Sequence, residues 1–288
     1  MAVFKSPLRY PGGKSRGVQF LFNFIPPYAE LREPFFGGGS LSFYTIQKKK
    51  HLIYKASDLN YELFCFWYQL QNNKSELIAG VQRIFNTYHS TNRGKVLFYE
   101  LVERRNNNLS DLQRAIDFYV LNRITFSGVV DSGGYSQGSF DGRFTQSSID
   151  RLHKTSELIQ HISFYCEDYI YLLNQNGEQV FIFLDPPYYS ATKSKLYGKK
   201  GILHTEFNHV KLFEDLKNLK HKWLITYDNS DFIKKLYKDF YQVEWQLAYG
   251  MTTKYTAGGK NEILIANYDL LAQKDANLKG SHALSLNF

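Results

Sequence analysis

Residues 180–189 read VFIFLDPPYY. Val180 to Leu184 is a run of five apolar residues, the pattern of a strand buried on both faces of a parallel sheet. Asp185-Pro186-Pro187-Tyr188 follows at its carboxyl end, the edge at which open α/β sheets bind ligands. The two prolines stiffen the backbone and remove two N–H donors, leaving carbonyls that point outward without partners. A carboxylate beside a fixed carbonyl makes a pair of acceptors suited to the two hydrogens of an amino group. Tyr188 adds a flat face on which a base can stack. The plainer alternative is a rigid turn from strand to loop.

Upstream, Glu33–Ser40 reads EPFFGGGS. A short strand ending at Phe35–Phe36, a glycine turn, and a helix capped by Ser40 and running to about Lys49 are expected. His51 to Ser57 reads as a second strand that delivers Asp58, 21 residues beyond Gly37. Strand, glycine turn, helix, strand and acid open a doubly wound α/β sheet. The glycines admit a close-lying nucleoside cofactor, and a carboxylate such as Asp58 accepts from both ribose hydroxyls. Three glycines after a strand also occur as an ordinary tight turn. No G-x-x-x-x-G-K-[ST] phosphate loop is present, which disfavours ATP as cofactor.

Between Tyr61 and Asp150 the character changes. Helical patterns rich in Asn, Lys and Arg cover Ser75–Tyr88, Lys95–Arg105 and Asp111–Arg123. FSGVVDSGGYSQGSFDGRF (Phe126–Phe144) reads as a long β-hairpin or exposed loop. Strands resume at Ile162–Glu167, Val180–Leu184 and Trp223–Thr226, then Gln242–Ala248 and Glu262–Tyr268. Lys14–Phe24 has helical spacing, and the tail from Gln273 is polar enough to fray. The expected organisation is a catalytic α/β domain in two segments, 1–60 and 151–288, around a mainly helical insertion, 61–150, that carries a β-hairpin.

The 288 residues suffice for such a domain with its insertion. Lys and Arg number 35 against 27 Asp and Glu, and a net charge of +8 favours a polyanionic partner. Cys65 and Cys166 lie among apolar and aromatic neighbours and read as buried thiols, which argues against a cysteine nucleophile. No metal-ligand spacing is evident, so no metal is expected. No apolar run is long enough to span a bilayer. MAVFKSPLRYPGGK lacks the apolar core of a secretory signal, which places the chain in the cytoplasm.

In order, RYPGGK (Arg9–Lys14), EPFFGGGS, SDLN (Ser57–Asn60), NRITFSG (Asn122–Gly128), CEDY (Cys166–Tyr169) and DPPYY resemble the Dam-type DNA adenine-N6 methyltransferases. TYDNS (Thr226–Ser230) and GKNEILIANY (Gly259–Tyr268) match weaker, later blocks. Cofactor motifs first, recognition insertion next and DPPY last is that family's α arrangement. The resemblance implies a Rossmann-like methyltransferase, a doubly wound and mostly parallel sheet, that uses S-adenosylmethionine on double-stranded DNA. It implies that Tyr10 and Lys14 close the cofactor pocket, and that Gly37 and Gly39, flanked by Glu33 and Phe36, approach the methionine moiety. Asp58 would hold the ribose, while Asp168 and Tyr169 would contact the cofactor's adenine. Asp185, Pro186, Pro187 and Tyr188 would receive the target base.

A base inside a duplex has to be flipped out, at an unstacking cost of roughly a few kcal/mol. Stacking on Tyr188 would offset about 1–3 kcal/mol of that. Asp185 and the Pro186 carbonyl would accept both N6 hydrogens and aim the lone pair at the methyl group, so most catalysis would come from positioning. Lys95, Arg104, Arg105 and Arg114 are candidate phosphate contacts. In the expected hairpin Phe126 would wedge into the stack, and Arg123, Ser127, Gln137 or Arg143 would reach base edges. Members that read GATC carry an Asn-Gly pair followed by an arginine here. Ser127-Gly128 and Asp131-Ser132 replace these, which points away from GATC. A separate cognate restriction endonuclease and a monomer or weak dimer are the expected partners and state. The alternatives are methylation of RNA adenine or of protein glutamine on the same fold, and a DNA-binding protein on a decayed scaffold.

Overall fold

The structure is a computed structural model that describes residues 3–10, 12–48, 52–191, 207–247 and 260–285. Its strands are β1 (Glu30–Glu33), β2 (Ile53–Ser57), β3 (Ile162–Tyr165), β4 (Val180–Leu184), β5 (Lys222–Asp228), β6 (Tyr241–Leu247) and β7 (Lys260–Ala266). They form one sheet in the order β3-β2-β1-β4-β5-β7-β6. The first five run parallel, and β7 enters antiparallel between β5 and β6. This is the expected doubly wound, mostly parallel sheet. Pro11 of the RYPGGK stretch, Lys49, His51, Ala248 and Gly259 lie outside the described residues.

Every residue of β4 is buried, as its unbroken apolar run requires of a central strand. β1 is also wholly buried although it reads ELRE. Arg32, fully inaccessible, donates through Nε to Glu30 at 2.6 Å. Its Nη1 reaches the carbonyls of Leu172 and Gln175 at 2.7 and 2.8 Å, and Nη2 reaches that of Asn176 at 3.0 Å. Lys55 on β2 adds a second cation 3.0 Å from Glu30. This network satisfies the charges that burial would otherwise penalise. β1 stops at Glu33, earlier than Phe35–Phe36, because Pro34 has no N–H to extend the ladder.

The helices are α1 (Val18–Phe22), α2 (Ser40–Ile46), α3 (Tyr61–Asn72), α4 (Lys74–His89), α5 (Gly94–Arg104) and α6 (Asp111–Ile124). They continue as α7 (Gln137–Arg143), α8 (Gln146–Leu158), α9 (Tyr169–Leu173), α10 (His209–Leu216), α11 (Asp231–Leu236) and α12 (Leu270–Ser285). All seven strands come from residues 30–57 and 162–266, and α3 to α8 fill the interval between β2 and β3. The helix expected over Lys14–Phe24 is broken at Gly17 into a 3-10 turn and α1. No helix among the described residues is long and apolar enough to cross a membrane.

Two expectations are corrected. The β-hairpin over Phe126–Phe144 is reduced to one isolated bridge, Thr125 to Tyr135, and the segment beyond it is α7. Ser136 caps α7 by accepting from the Ser139 amide at 3.2 Å. Phe140 and Phe144 are buried against His89 and Phe85, with ring centroids 5.2 and 5.3 Å apart. Gly138 and Gly142 face open space, so they weaken the helix without weakening its packing. The tail expected to fray from Gln273 is α12 instead. Asn277 ties it to the carbonyls of Asn23 and Ile25 at 2.7 and 3.0 Å.

Replacing Arg32 with Met leaves Glu30 to Lys55 alone and removes the donor to the carbonyls of Leu172, Gln175 and Asn176. A loss of about 3–5 kcal/mol is expected, measured by denaturant unfolding against wild type.

Candidate active site

The carboxyl ends of β1, β2 and β4 come together at one rim of the sheet. After β1 the chain turns through Phe36, whose amide donates to the Ser57 carbonyl at the end of β2 at 3.0 Å. Gly37 and Gly39 take φ values of +49° and +64°, the region that favours glycine. A Cβ on Gly37 would come within 2.7 Å of the Tyr10 ring, and one on Gly39 within 2.4 Å of the Phe36 ring. The turn therefore lies between two aromatic rings, and Gly39, in place of Ser40, forms the entry to α2.

Asp58 closes this turn. Its two oxygens accept from the amides of Gly37 at 2.9 Å and Asn60 at 3.0 Å. Burial raises its pKa, and the two amides pull it back. Glu33 is buried beneath the turn, where the Ser42 amide donates to it at 3.0 Å and the Ser42 hydroxyl also donates. Desolvation lifts Glu33 from the ordinary 4.5 to about 8, with nearby Asp185 adding to the rise.

Asp168 caps α9 by accepting from the Ile170 amide at 3.0 Å. Tyr169 stacks on Phe35, centroids 5.5 Å apart, and gives its hydroxyl to Asp215 at 2.7 Å. These residues line the rim beside Asp58, whose amide donates to Tyr165 at the end of β3 at 3.3 Å.

At the end of β4, Asp185 is held from two sides. Lys14 donates to both carboxylate oxygens at 2.8 and 2.9 Å, and Thr226 on β5 donates to Oδ1 at 2.6 Å. Lys14 is only 3% exposed; its ammonium also reaches the Gly12 carbonyl at 3.0 Å and stands 4.8 Å from the centroid of the Tyr188 ring. Pro186 is buried, and Pro187 and Tyr188 are half-buried. Tyr189 stacks on Phe232 at 4.3 Å, while the Ser190 amide donates to Asp228 at 3.1 Å.

The expected recognition residues lie at the other end of α6. Phe126 is 70% exposed on a 3-10 turn, and Ser127 beside it has φ +55°. Arg123 is engaged internally, donating to the carbonyls of Arg143 at 2.8 Å and Pro7 at 3.0 Å. Gln137 donates to Asn92 and Asp141 and accepts from Tyr135. Arg143 is exposed at the last turn of α7, and Lys95 is exposed on α5. Three other cations expected on phosphate are held in ion pairs: Arg104 with buried Asp117, Arg105 with Asp131, and Arg114 with Glu62. Desolving a carboxylate demands a partner, and these arginines supply it. Asp131, which stands where an arginine was expected, is half of one such pair.

Sequence reasoning carried Thr226, Phe35 and Asn122 only within longer motifs, without a role of their own, and did not single out Ser42. Thr226 falls within a stretch read as strand, and its outward hydroxyl at the strand end was the available signal. Asn122, fully buried on α6, accepts from the Arg9 amide at 2.9 Å and donates to the carbonyls of Arg9 and Gly128, both at 2.9 Å. Nothing in a single sequence pairs residues so far apart.

Residues 10–251 match the family model of the D12 class N6 adenine-specific DNA methyltransferases. A type II methyltransferase of Methanocaldococcus jannaschii is 24% identical over 259 residues, covering 81% of this chain and 88% of that protein. A DNA N-6-adenine-methyltransferase of Escherichia phage P1 is 27% identical over 244 residues, 82% of this chain but 31% of its own length. The DNA adenine methylase of Escherichia coli K12 is 26% identical over 186 residues, 63% of this chain and 64% of its own.

Gly39→Ala forces a Cβ into the Phe36 ring at a left-handed φ. A loss of about 2 kcal/mol or more in stability is expected by thermal unfolding. Glu33 gives a pH signature. Its folded pKa of about 8 exceeds the unfolded 4.5, so the folded protein binds the extra proton between those values. The stability this proton provides is complete below about pH 4.5 and is lost as pH rises through 8. Glu33→Gln is expected to flatten that part of the Tm–pH curve.

Proposed function

The chain belongs to the D12 class of N6 adenine-specific DNA methyltransferases, and from that premise we propose how it does the chemistry: S-adenosylmethionine as donor, and an adenine flipped out of duplex DNA as acceptor. The observation that carries the reading is Asp185 at the end of β4, held by Lys14 and Thr226 on the same rim as the glycine turn and Asp58.

The residues at the first half of that rim suit the donor. Asp58 has acceptor capacity beyond its two amide bonds and would take the ribose hydroxyls. Asp168, Tyr169 and the neighbouring Phe35 supply a polar edge and an aromatic wall for an adenine ring. Glu33 lies under Gly37 and Gly39, where the positive end of a bound methionine moiety would favour its ionised form, with Phe36 beneath and Tyr10 and Lys14 closing the pocket. When bound, S-adenosylmethionine supplies a methyl group activated by its sulfonium.

The second half of the rim suits the target. Asp185 and the Pro186 carbonyl would accept the two N6 hydrogens, Pro187 would keep that backbone rigid, and Tyr188 would stack on the base. These groups orient the nitrogen, and orientation alone supplies much of the rate in such transfers. No covalent enzyme intermediate is required.

The helical insertion, residues 61–150, is proposed as the DNA-reading part. Phe126, exposed on its turn, would enter a base stack, Ser127 would reach a base edge, and Arg143 and Lys95 would meet backbone phosphates. Arg123 and Gln137 would act mainly by holding this surface in shape. Asp131 paired with Arg105 supports a target other than GATC. The type II designation of the archaeal relative supports a cognate restriction endonuclease acting separately; a cytoplasmic monomer or weak dimer completes the reading.

Labelled S-adenosylmethionine incubated with unmethylated genomic DNA is expected to yield N6-methyladenine confined to one short motif, read by nucleoside analysis and sequence mapping. Absence of label in DNA, with the donor still bound, would transfer the reading to RNA or protein. Asp185→Ala is expected to lower single-turnover methylation by at least about 100-fold with donor affinity retained; near-normal turnover would remove Asp185 from its role.

A further inference from the structure

We propose that Lys14 is a positioning residue that stands in for the target base: its ammonium occupies Asp185 and the face of Tyr188 until an adenine displaces it. The inference rests on the reading of Asp185 and Tyr188 as the base-receiving pair. Lys14 makes its two shortest bonds to the oxygens of Asp185, at 2.8 and 2.9 Å, and a third to the Gly12 carbonyl at 3.0 Å. It does so from 4.8 Å over the Tyr188 ring. A donor nitrogen bonded to the Asp185 carboxylate above that ring is the arrangement an exocyclic amino group would adopt.

Thr226 holds Oδ1 independently at 2.6 Å, so the carboxylate keeps its orientation when the ammonium swings away. Both oxygens of Asp185 are engaged by Lys14, and a base amino group gains a place only when that two-point grip is reduced. Lys14 thereby keeps the carboxylate aimed while the site is without DNA. It also sets a threshold that a base must exceed to enter. Correctly docked DNA meets that threshold through its other contacts, and a loosely bound duplex does not.

The test uses 2-aminopurine at the target position of a duplex carrying the mapped motif, with the full-length protein and no methyl donor. This analogue lacks the 6-amino group, so its fluorescence reports competition for the ring face and not bonding to Asp185. Lys14→Met is expected to raise the flipped fraction about tenfold, since a desolvated cation–π contact and its ion pair no longer oppose entry. The same variant should slow methylation of the natural duplex. Asp185→Asn breaks the pair from the other end and should also raise the flipped fraction. Lys14→Arg, which keeps the charge, should hold it near wild type. Flipping that falls with Lys14→Met, or that is unchanged in both Lys14→Met and Asp185→Asn, would overturn the proposal. Methyl transfer by wild type to the natural duplex, measured alongside, reports separately on the underlying reading.

Discussion

Everything at the rim depends on β1 pairing with two parallel neighbours at once. Glu30–Glu33 lies against Ile53–Ala56 on one side, and Glu30–Arg32 lies against Val180–Ile182 on the other. That double register brings the ends of three strands level, so Glu33, Asp58 and Asp185 lie along one rim although they are far apart in sequence. It also places the reversal of strand order between β1 and β4, where a crevice is unavoidable because the connections leave in opposite directions. The strand that makes this possible is the least apolar of the sheet. Its arginine is bonded to a glutamate and three carbonyls, and those carbonyls belong to the end of α9 and the loop that leads into β4. The central strand pair and its flanking loop are thus joined by one side chain.

Charge burial follows the same logic elsewhere. Asp117, wholly buried within the helical part, is bonded by Arg104 and Gln113. Asp131 and Arg105 cover each other. Such pairs contribute little net energy, yet breaking one leaves a bare charge, so they specify an arrangement more strongly than they stabilise it. The basic excess that favours a polyanion therefore resides in fewer side chains than the count suggests.

The sheet was legible in the sequence wherever burial alone sets the pattern. VFIFL and WLIT could only be central strands, and the acid after the second strand stood at the spacing a nucleoside site needs. The turn Asp185–Tyr188 was legible because two prolines after a buried strand constrain the backbone whatever surrounds them. The helix α7 was not, because its glycines signal a loop while the residues that stabilise it, Phe85 and His89, lie on another helix. The partners of Arg104, Arg105 and Arg114 were hidden for the same reason: a basic residue looks alike in sequence whether it faces solvent or a buried carboxylate. The strand ELRE lacks any apolar signal, and only the glycine turn after it marked its position. Lys14 was placed at the donor pocket by resemblance. Its bond to Asp185 spans 171 residues and belongs to the fold.

Asn122 fixes both the amide and the carbonyl of Arg9, and five residues later the chain ends its course at Lys14 on Asp185. The helical part and the sheet rim are therefore spaced by one short strap of backbone and not by a broad interface alone. Evolution of new specificity is channelled accordingly. Substitutions at the tip beyond Asn122, where Phe126 and Ser127 project, leave the Asn122 bonds to Arg9 intact. A replacement of the whole helical part has to return a side chain with the same donor and acceptor to that place if the bonds to Arg9 are to be kept. The helical part is thus free to vary at its tip and tied at its root.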